Sequence, residues 1–393
     1  MIFGQCCPTM KGCARMDFTP LREFMEHLTA WRIPGNAISV YRGGQCVFQY
    51  ASGFSDVEQR IPMTGRELIS LYSCSKVATV TAALQLYEKS YFRLDTPLWE
   101  FLPAYRHMTV AGEDGTLHPA KSDITMEQLF CHTSGLSYDL NAPALQALRQ
   151  QMPAMPTVAA ASALAREPLL FEPGTRWSYS LSHDVLAAVV EVISGIPFSQ
   201  YVKAHIFAPL GVTEVYYHTD AALQSRMAQQ YLYQTGSTVS AVQLQISSGE
   251  QEGSLTNFGK GNEFILGAAY DSGGAGIVTT VDSYAKFAGA LSMGGRTPEG
   301  TAILQPETVA LMQQNRLTDR QRQDFGWSQH SGYGYGLGVR CHPRRDFGWS
   351  GAAGATLLAD SHQEFALVYA HHMRNPQEDY YLPRLCQAAY VCL

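Results

Sequence analysis

The alternation of apolar and polar positions gives the first picture of how this chain folds. Residues 17–32 carry apolar side chains at helical spacing and predict an amphipathic helix. Two apolar runs follow, 37–41 and 46–50, joined by Arg-Gly-Gly-Gln. Because glycine readily adopts the positive φ of a tight turn, this pattern predicts two strands in a hairpin. The run 77–87 lacks Gly and Pro and is apolar nearly all round, which is typical of a buried helix.

Further along, from about residue 95 to residue 270, helical patterns alternate with loops that contain proline. Helices are predicted there and just after a glycine-rich run, at 125–130, 144–151, 157–166, 184–193 and 281–291. Strand patterns return at 335–340, 356–359 and 365–371, and a last helix is predicted from Pro376 onward.

Two early strands and three late ones, with helices between them, predict the fold class. We expect an α/β (α+β) fold in which an antiparallel sheet is built from both ends of the chain and is flanked by helices. Residues 17–100 and 271–393 are predicted to form this sheet domain. Residues 101–270 are predicted to form an inserted, mostly helical subdomain, and residues 1–16 a disordered segment.

The composition limits the binding partners and the cellular location that the chain is expected to have. The chain has 28 basic and 34 acidic residues, a net charge of −6, and no run of Lys or Arg, which argues against nucleic acid and anionic membranes. No stretch approaches the roughly 20 apolar residues that span a bilayer, and the first 15 residues do not have the pattern of a signal peptide. Nine cysteines without a Cys-x-x-Cys pair predict free thiols and a reducing compartment. We therefore expect a cytoplasmic protein with no metal or cofactor, and export remains open if the start of the chain is misassigned.

The candidate nucleophile is Ser73, in the tetrad Ser-Cys-Ser-Lys that opens the predicted buried helix. Residues at i and i+3 share a helix face, so Lys76 can reach the Ser73 hydroxyl. Burial lowers the pKa of a lysine and lets it accept a proton near neutrality. The same tetrad recurs at Ser283 and Lys286, where we interpret the lysine as a solvated side chain on an amphipathic helix.

The surroundings of Ser73 resemble the nucleophile motif of class C β-lactamases, D-alanyl-D-alanine peptidases and family VIII carboxylesterases. Other segments resemble landmarks of these families and follow in family order: Ile33-Pro34-Gly35, Asp95-Thr96-Pro97-Leu98, His132-Thr133-Ser134-Gly135, Glu172-Pro173-Gly174-Thr175, Ser272-Gly273-Gly274-Ala275-Gly276 and Tyr333-Gly334-Tyr335-Gly336. The resemblance covers residues 17 to 375 and implies a serine hydrolase of the penicillin-recognising superfamily.

The resemblance also implies a second catalytic residue, Tyr179, where these families carry a tyrosine within Tyr-x-Asn. Here Leu181 replaces the asparagine that holds the amide side chain of β-lactam substrates, so the motif looks like the esterase branch. A phenol near a cationic lysine can have its pKa lowered and act as a general base.

The resemblance implies a third catalytic element, on a strand late in the chain. Trp349-Ser350-Gly351 stands where many relatives have Lys-Thr-Gly, whose cation pairs with a substrate carboxylate. A Trp-x-Gly version resembles the carboxylesterases and the related statin-side-chain acyltransferases. Glycine at Gly351 allows a close approach to substrate, and by analogy the N–H groups of Ala352 and Ser73 form an oxyanion hole.

Tyr138 is a candidate second tyrosine near the pocket, as in some carboxylesterases of the family, but packing in the core or in a loop is the interpretation that the base rate for aromatic residues favours. We interpret His132 as structural.

Two other hydrolase classes fit less well. Gly348-Trp349-Ser350-Gly351-Ala352 nearly matches a nucleophile elbow, with Asp360 and His371 or His372 downstream, but too little sheet follows it. A metal hydrolase lacks a ligand motif, since the twelve histidines are spread out and no His-Glu-x-x-His occurs.

We therefore predict a serine hydrolase that forms an acyl-enzyme on Ser73 and acts on small-molecule substrates, most simply small-acyl esters. The alternatives are a β-lactamase, a D-alanyl-D-alanine carboxypeptidase or an acyltransferase on the same fold. A non-catalytic penicillin-binding or sensor module is a further alternative, and the oligomeric state is left open.

Overall fold

The computed structural model describes residues 16–235 and 253–393. The predicted disordered segment, 1–16, lies outside these residues except for Met16. The helices are α1 (Thr19–Trp31), α2 (Lys76–Glu88), α3 (Met126–Phe130), α4 (Pro143–Gln151), α5 (Thr157–Leu164), α6 (Ser182–Ser194), α7 (Phe198–Val202), α8 (Ala221–Ser225), α9 (Val281–Ser292), α10 (Pro306–Met312), α11 (Asp319–Asp324) and α12 (Glu378–Val391).

The strands are β1 (Gly35–Arg42), β2 (Gln45–Asp56), β3 (Ile61–Pro62), β4 (Ile69–Ser70), β5 (Thr109–Ala111), β6 (Leu117–Pro119), β7 (Val215–Tyr216), β8 (Gln230–Thr235), β9 (Gly253–Gly259), β10 (Val278–Thr279), β11 (Gly334–Tyr335), β12 (Arg340–Cys341), β13 (Phe347–Ser350), β14 (Thr356–Asp360) and β15 (Phe365–Ala370).

Eight of these strands form one antiparallel sheet in the order β11-β12-β13-β14-β15-β1-β2-β3. Early and late parts of the chain meet at its centre, where Ala37 of β1 pairs with Ala370 of β15. The β1–β2 hairpin turns through Gly43 and Gly44, which have φ of 53° and 70°. The predicted α/β fold with an antiparallel sheet is confirmed.

The strands β13, β14 and β15 of the sheet are buried on both faces. Alternate strand residues point to opposite faces, so Leu357 contacts the core that contains α2 and α9, whereas Leu358 contacts the core beneath α1 and α12. Every residue of β15 is buried, which explains its continuous apolar sequence.

One strand predicted in the tail differs from the structure. The strand expected over 335–340 is two short strands, β11 and β12, separated by a glycine-containing loop. Gly338 has φ of 82°, and a Cβ atom there would lie 2.2 Å from Cγ1 of Val80 on α2. The chain turns here because only glycine combines this φ with such close packing.

Within the described ranges, no single helix is long and apolar enough to cross a membrane. The helical segments Ser182–Ser194 and Phe198–Phe207 are together long and apolar enough to do so by length and composition, but they are bent by 79° relative to each other.

Candidate active site

Ser73 lies on a 3₁₀ turn, Tyr72–Ser75, that leads directly into α2. Tyr72 has a left-handed φ of 48°, which is uncommon for a bulky residue and marks local strain. Across from this turn, a Cβ atom on Gly351 would lie 2.0 Å from the carbonyl oxygen of Leu71. The end of β13 therefore packs on the serine turn at a distance that only glycine permits.

Lys76 is completely buried, with 0% of its surface exposed. Its Nζ donates to the backbone carbonyl of Gly274 at 2.8 Å and to Ser73 Oγ at 3.2 Å, and lies 3.5 Å from the hydroxyl of Tyr138. Desolvation lowers the pKa of Lys76 to about 7, and the nearby Asp184 partly opposes the shift. The amine can therefore be neutral near neutral pH, with Ser73 within reach.

Asp184 is a buried carboxylate behind the lysine that the sequence reasoning did not single out. Its Oδ1 accepts hydrogen bonds from the Tyr270 hydroxyl (2.9 Å), Ser272 Oγ (2.7 Å) and Gly274 N (3.1 Å). A Cβ atom on Gly274 would lie 2.4 Å from Asp184 Oδ2 and 3.2 Å from Lys76 Nζ. The absence of a side chain on Gly274 thus leaves room for the Asp184 carboxylate behind the lysine. Asp184 could have been found from the sequence as a charged residue inside an apolar helix, where an unpaired charge is costly.

Tyr179 connects the serine, the lysine and the late strand. Its hydroxyl accepts a hydrogen bond of 2.9 Å from Nε1 of Trp349, and Lys76 Nζ lies 4.6 Å from its ring centroid. Burial raises the pKa of Tyr179, and the side chains of Ser73 and Trp349 partly offset that rise. This direction is the opposite of the lowering expected from a cationic lysine, because desolvation of the phenolate is the largest cause of the shift.

Tyr138 lies beside Tyr179 and not in a remote loop. The two rings are parallel, with centroids 5.4 Å apart and an interplanar angle of 6°. The side chain of Ser73 also interacts with the Tyr138 hydroxyl, whose pKa is raised mainly by burial. Two neutral phenols therefore flank the serine–lysine pair.

Two backbone donors near the serine have no partner. Among the described residues, the N–H groups of Ser73 and Ala352 have no hydrogen-bond acceptor, whereas Gly351 N donates to the carbonyl of Ala355 at 2.7 Å. Ser73 N is free because it lies in the first turn of a helical segment.

The competing serines stand in different surroundings. Thr356 Oγ1 donates to Ser350 Oγ at 3.2 Å, while His371 contacts the hydroxyl of Tyr369 at 3.1 Å. Ser350 and His371 therefore do not pair as in a catalytic triad. At the second tetrad, Lys286 is exposed and Ser283 Oγ accepts a hydrogen bond from Thr280 at 2.9 Å.

His132 packs against the site from behind. It is fully buried with φ of 56°, and its ring centroid lies 4.7 Å from that of Tyr179 and 4.3 Å from that of His183. Desolvation lowers the pKa of both histidines, so both rings are neutral. His132 Nδ1 contacts the N–H and the hydroxyl of Ser180, and His183 Nε2 contacts the backbone carbonyl of Phe130, as in a structural role.

Comparison with known proteins shows the family to which the chain belongs. The family model described as Beta-lactamase matches residues 21–388, and the chain belongs to this family of serine hydrolases. It is 30% identical over 277 residues to the esterase EstB of Burkholderia gladioli, an alignment that covers 68% of this chain and 67% of that esterase.

Two solved structures share the fold. EstCE1, a hydrolase with promiscuous acyltransferase activity, has a TM-score of 0.73 and 25% identity, and the match covers 95% of this chain and 99% of EstCE1. Simvastatin synthase (LovD) from Aspergillus terreus has a TM-score of 0.72 and 23% identity over 95% of this chain and 98% of its own. At that identity the second likeness shows the fold alone.

Proposed function

We propose that this protein is a carboxylesterase that forms an acyl-enzyme on Ser73 and hydrolyses small-acyl esters. One observation carries the proposal. A fully buried lysine amine, with its pKa lowered to about 7, lies 3.2 Å from the Ser73 hydroxyl. An uncharged amine that is shielded from solvent and within hydrogen-bond distance of a serine hydroxyl is an effective base for that serine.

In the acylation step, neutral Lys76 accepts the proton of Ser73 while Oγ bonds to the ester carbonyl carbon. The resulting oxyanion takes hydrogen bonds from the N–H groups of Ser73 and Ala352, which have no acceptor among the described residues. The tetrahedral intermediate then expels the alcohol, which leaves with the proton held by the Lys76 ammonium. In deacylation, water gives a proton to Lys76 and attacks the acyl carbon in the same way. The acid is released, and the proton returns to Ser73.

Tyr179 and Tyr138 are proposed to relay the proton between the lysine and the leaving alcohol. Their raised pKa values keep the hydroxyls protonated, so each can receive one proton as it gives another. Trp349 holds the Tyr179 hydroxyl through its indole N–H. Gly351 lets Ser350 and Ala352 approach the acyl group on the strand beside Ser73.

Esters are favoured over β-lactams by two positions. Leu181 is 2% exposed and packs in the main core, so it offers no amide to a β-lactam side chain. Trp349 offers no cation for a carboxylate. These are also the reasons to rank D-alanyl-D-alanine carboxypeptidase activity and a non-catalytic penicillin sensor below an esterase.

The test compares p-nitrophenyl butyrate with the β-lactam nitrocefin. We expect turnover of the ester to exceed that of nitrocefin and to disappear in Ser73→Ala. The second tetrad supplies a matched control, because Ser283→Ala removes a serine of the same motif whose lysine is exposed. Ester turnover that survives Ser73→Ala would refute the proposal, and faster nitrocefin turnover would favour the β-lactamase alternative.

Acyl transfer is the second candidate, supported by relatives such as the acyltransferase calJ of Penicillium decumbens, 31% identical over 180 residues, an alignment that covers 44% of this chain and 43% of that protein. An alcohol would then replace water in deacylation. Adding 1-butanol to the assay and measuring butyl butyrate against butyrate separates the two outcomes.

We infer a small-molecule substrate from the site and the family. The cytoplasmic location predicted from the sequence stays a prediction, which fractionation of cells expressing the tagged chain would test.

A further inference from the structure

A carboxylate that the mechanism above does not use lies beside the substrate strand. Glu378 opens α12, and its Oε1 is buried without a hydrogen-bond partner among the described residues. The first turn of α12 packs on the end of β13 through Thr356, whose Oγ1 is 2.9 Å from the Tyr381 hydroxyl and 3.2 Å from Ser350 Oγ. The side chain of Glu378 interacts with the side chains of Ser350 and Gln329.

Burial raises the pKa of Glu378, and Ser350 and Arg340 partly oppose that rise. When ionised, this carboxylate is in excess over the positive charge around it. Arg340 is the buried cation nearby, and its Nη2 lies 3.5 Å from Oδ2 of Asp346, which is also buried. Two acids therefore share one guanidinium. The field of Glu378 reaches the reacting groups, because it raises the pKa of both Tyr179 and Cys74, the neighbour of Ser73.

Aromatic rings cover the same side of the cleft. Tyr179 and Trp349 stack with centroids 5.6 Å apart, and Trp327 lies 5.7 Å from Tyr179 and 6.1 Å from Trp349. Trp327 is 36% exposed, so part of this aromatic wall is open to a ligand. The neighbouring His330 has its pKa lowered to about 3 by burial and is neutral. Electron-rich ring faces next to a carboxylate favour a cation.

We infer that this side of the cleft selects esters carrying a protonated amine or a quaternary ammonium group, and that Glu378 is the specificity-determining residue. The inference rests on the proposed ester hydrolysis and names its substrate class. An anionic substrate would meet the Glu378 carboxylate, whose Oε1 has no hydrogen-bond partner among the described residues, and no cation at Trp349. Such like-charge contacts discriminate strongly.

The test uses two esters of nearly the same shape. Butyrylcholine carries a trimethylammonium group where 3,3-dimethylbutyl butyrate carries a tert-butyl group. We expect the kcat/KM of the choline ester to be about tenfold higher in the unmodified protein. In Glu378→Gln this ratio should fall to about one, because the amide keeps the shape and removes the charge. Glu307→Gln, on the exposed first turn of α10, changes the net charge equally and should leave the ratio as it was.

Binding gives a readout that does not depend on turnover. Tryptophan fluorescence of the Ser73→Ala protein should report tighter binding of butyrylcholine than of the neutral ester, and Trp327→Leu should weaken that preference. Equal binding of the two esters, or a preference unchanged in Glu378→Gln, overturns the inference. Turnover of p-nitrophenyl butyrate tests the proposed function separately, so the two failures are distinguishable.

Discussion

At the scale of single residues, burial of Lys76 lowers the stability of the fold and at the same time makes the amine a suitable base. A lysine with no exposed surface loses the solvation of its ammonium group, and one buried carboxylate behind it restores only part of the loss. The result is an amine that titrates close to the pH of the cell and lies beside a hydroxyl.

The pH dependence of ester hydrolysis follows from this titration. We expect kcat/KM for p-nitrophenyl butyrate to rise with pH and reach half its plateau near pH 7, the pKa of Lys76, because only the neutral amine accepts the serine proton. The raised pKa of Tyr179 should keep the plateau level to pH 9. Lys76→Arg, which cannot deprotonate, should lose about 10²–10⁴-fold. A profile independent of pH between 5 and 9 would contradict this assignment.

The same lysine should reduce the stability of the fold. Its folded pKa is lowered from 10.5 to about 7, so the unfolded chain binds more protons between these values and stability rises with pH across that window. Lys76→Met should therefore stabilise the protein at pH 6 by roughly 2–4 kcal/mol, less the loss of the hydrogen bond to Gly274. Urea unfolding at pH 6 and pH 10 measures it, and the gain should shrink at the higher pH. A gain that grows with pH would mean that the lysine is not desolvated.

At the scale of elements, the site depends on the contact between the serine turn and β13. Helix α2 presents Lys76, α6 presents Asp184 just beyond Tyr179, and β13 presents Trp349. Gly351, just after β13, packs against the carbonyl oxygen of Leu71 so closely that a Cβ atom on Gly351 would lie 2.0 Å from it.

Gly351→Ala should separate these two elements. A Cβ atom 2.0 Å from the Leu71 oxygen must displace backbone, so we expect at least a 100-fold loss of kcat/KM, about 3 kcal/mol, and a lower melting temperature. Gly195→Ala is a suitable control. It has a φ of 72° at the end of α6 but nothing near its Cβ position, so it should cost about 1 kcal/mol of stability and no activity. Equal activity of the two variants would show that the contact does not position Ser73.

At the scale of the whole molecule, the two cores on opposite faces of the sheet have different roles. The core with α2 and α9 supports Lys76 and the other proposed catalytic residues, whereas the core with α1 and α12 lies on the other face.

Mutation of the second core should therefore affect stability without affecting chemistry. Leu385 on α12 is 0% exposed, and Leu385→Ala should destabilise the protein by about 2–5 kcal/mol. The kcat of the folded fraction should stay within about twofold of the original. Thermal unfolding monitored by circular dichroism, with kcat measured well below the transition, checks both parts. A large fall in kcat at low temperature would show that the two faces are coupled.

Local patterns predicted more of the fold than of the site. The hairpin through Gly43 and Gly44 and the buried helix after Ser73 were predictable because turn chemistry and apolar periodicity are encoded within a few residues. Asp184 and Glu378 were not, since their partners come from segments distant in sequence. The direction of the Tyr179 pKa was missed for the same reason, because desolvation depends on packing that no motif displays.

The pairing of β1 with β15 bears on how the chain is made. Arg42 meets Phe365, so about 320 residues separate two neighbouring strands at the centre of the sheet. A ribosome adds roughly 5–20 residues per second, so one side of the β1–β2 hairpin stays unpaired on the nascent chain for about 20–60 s. A bare apolar strand edge recruits other strands. We therefore expect the yield of active protein from cell-free synthesis to depend on a chaperone that shields this edge, and slower translation to deepen that dependence.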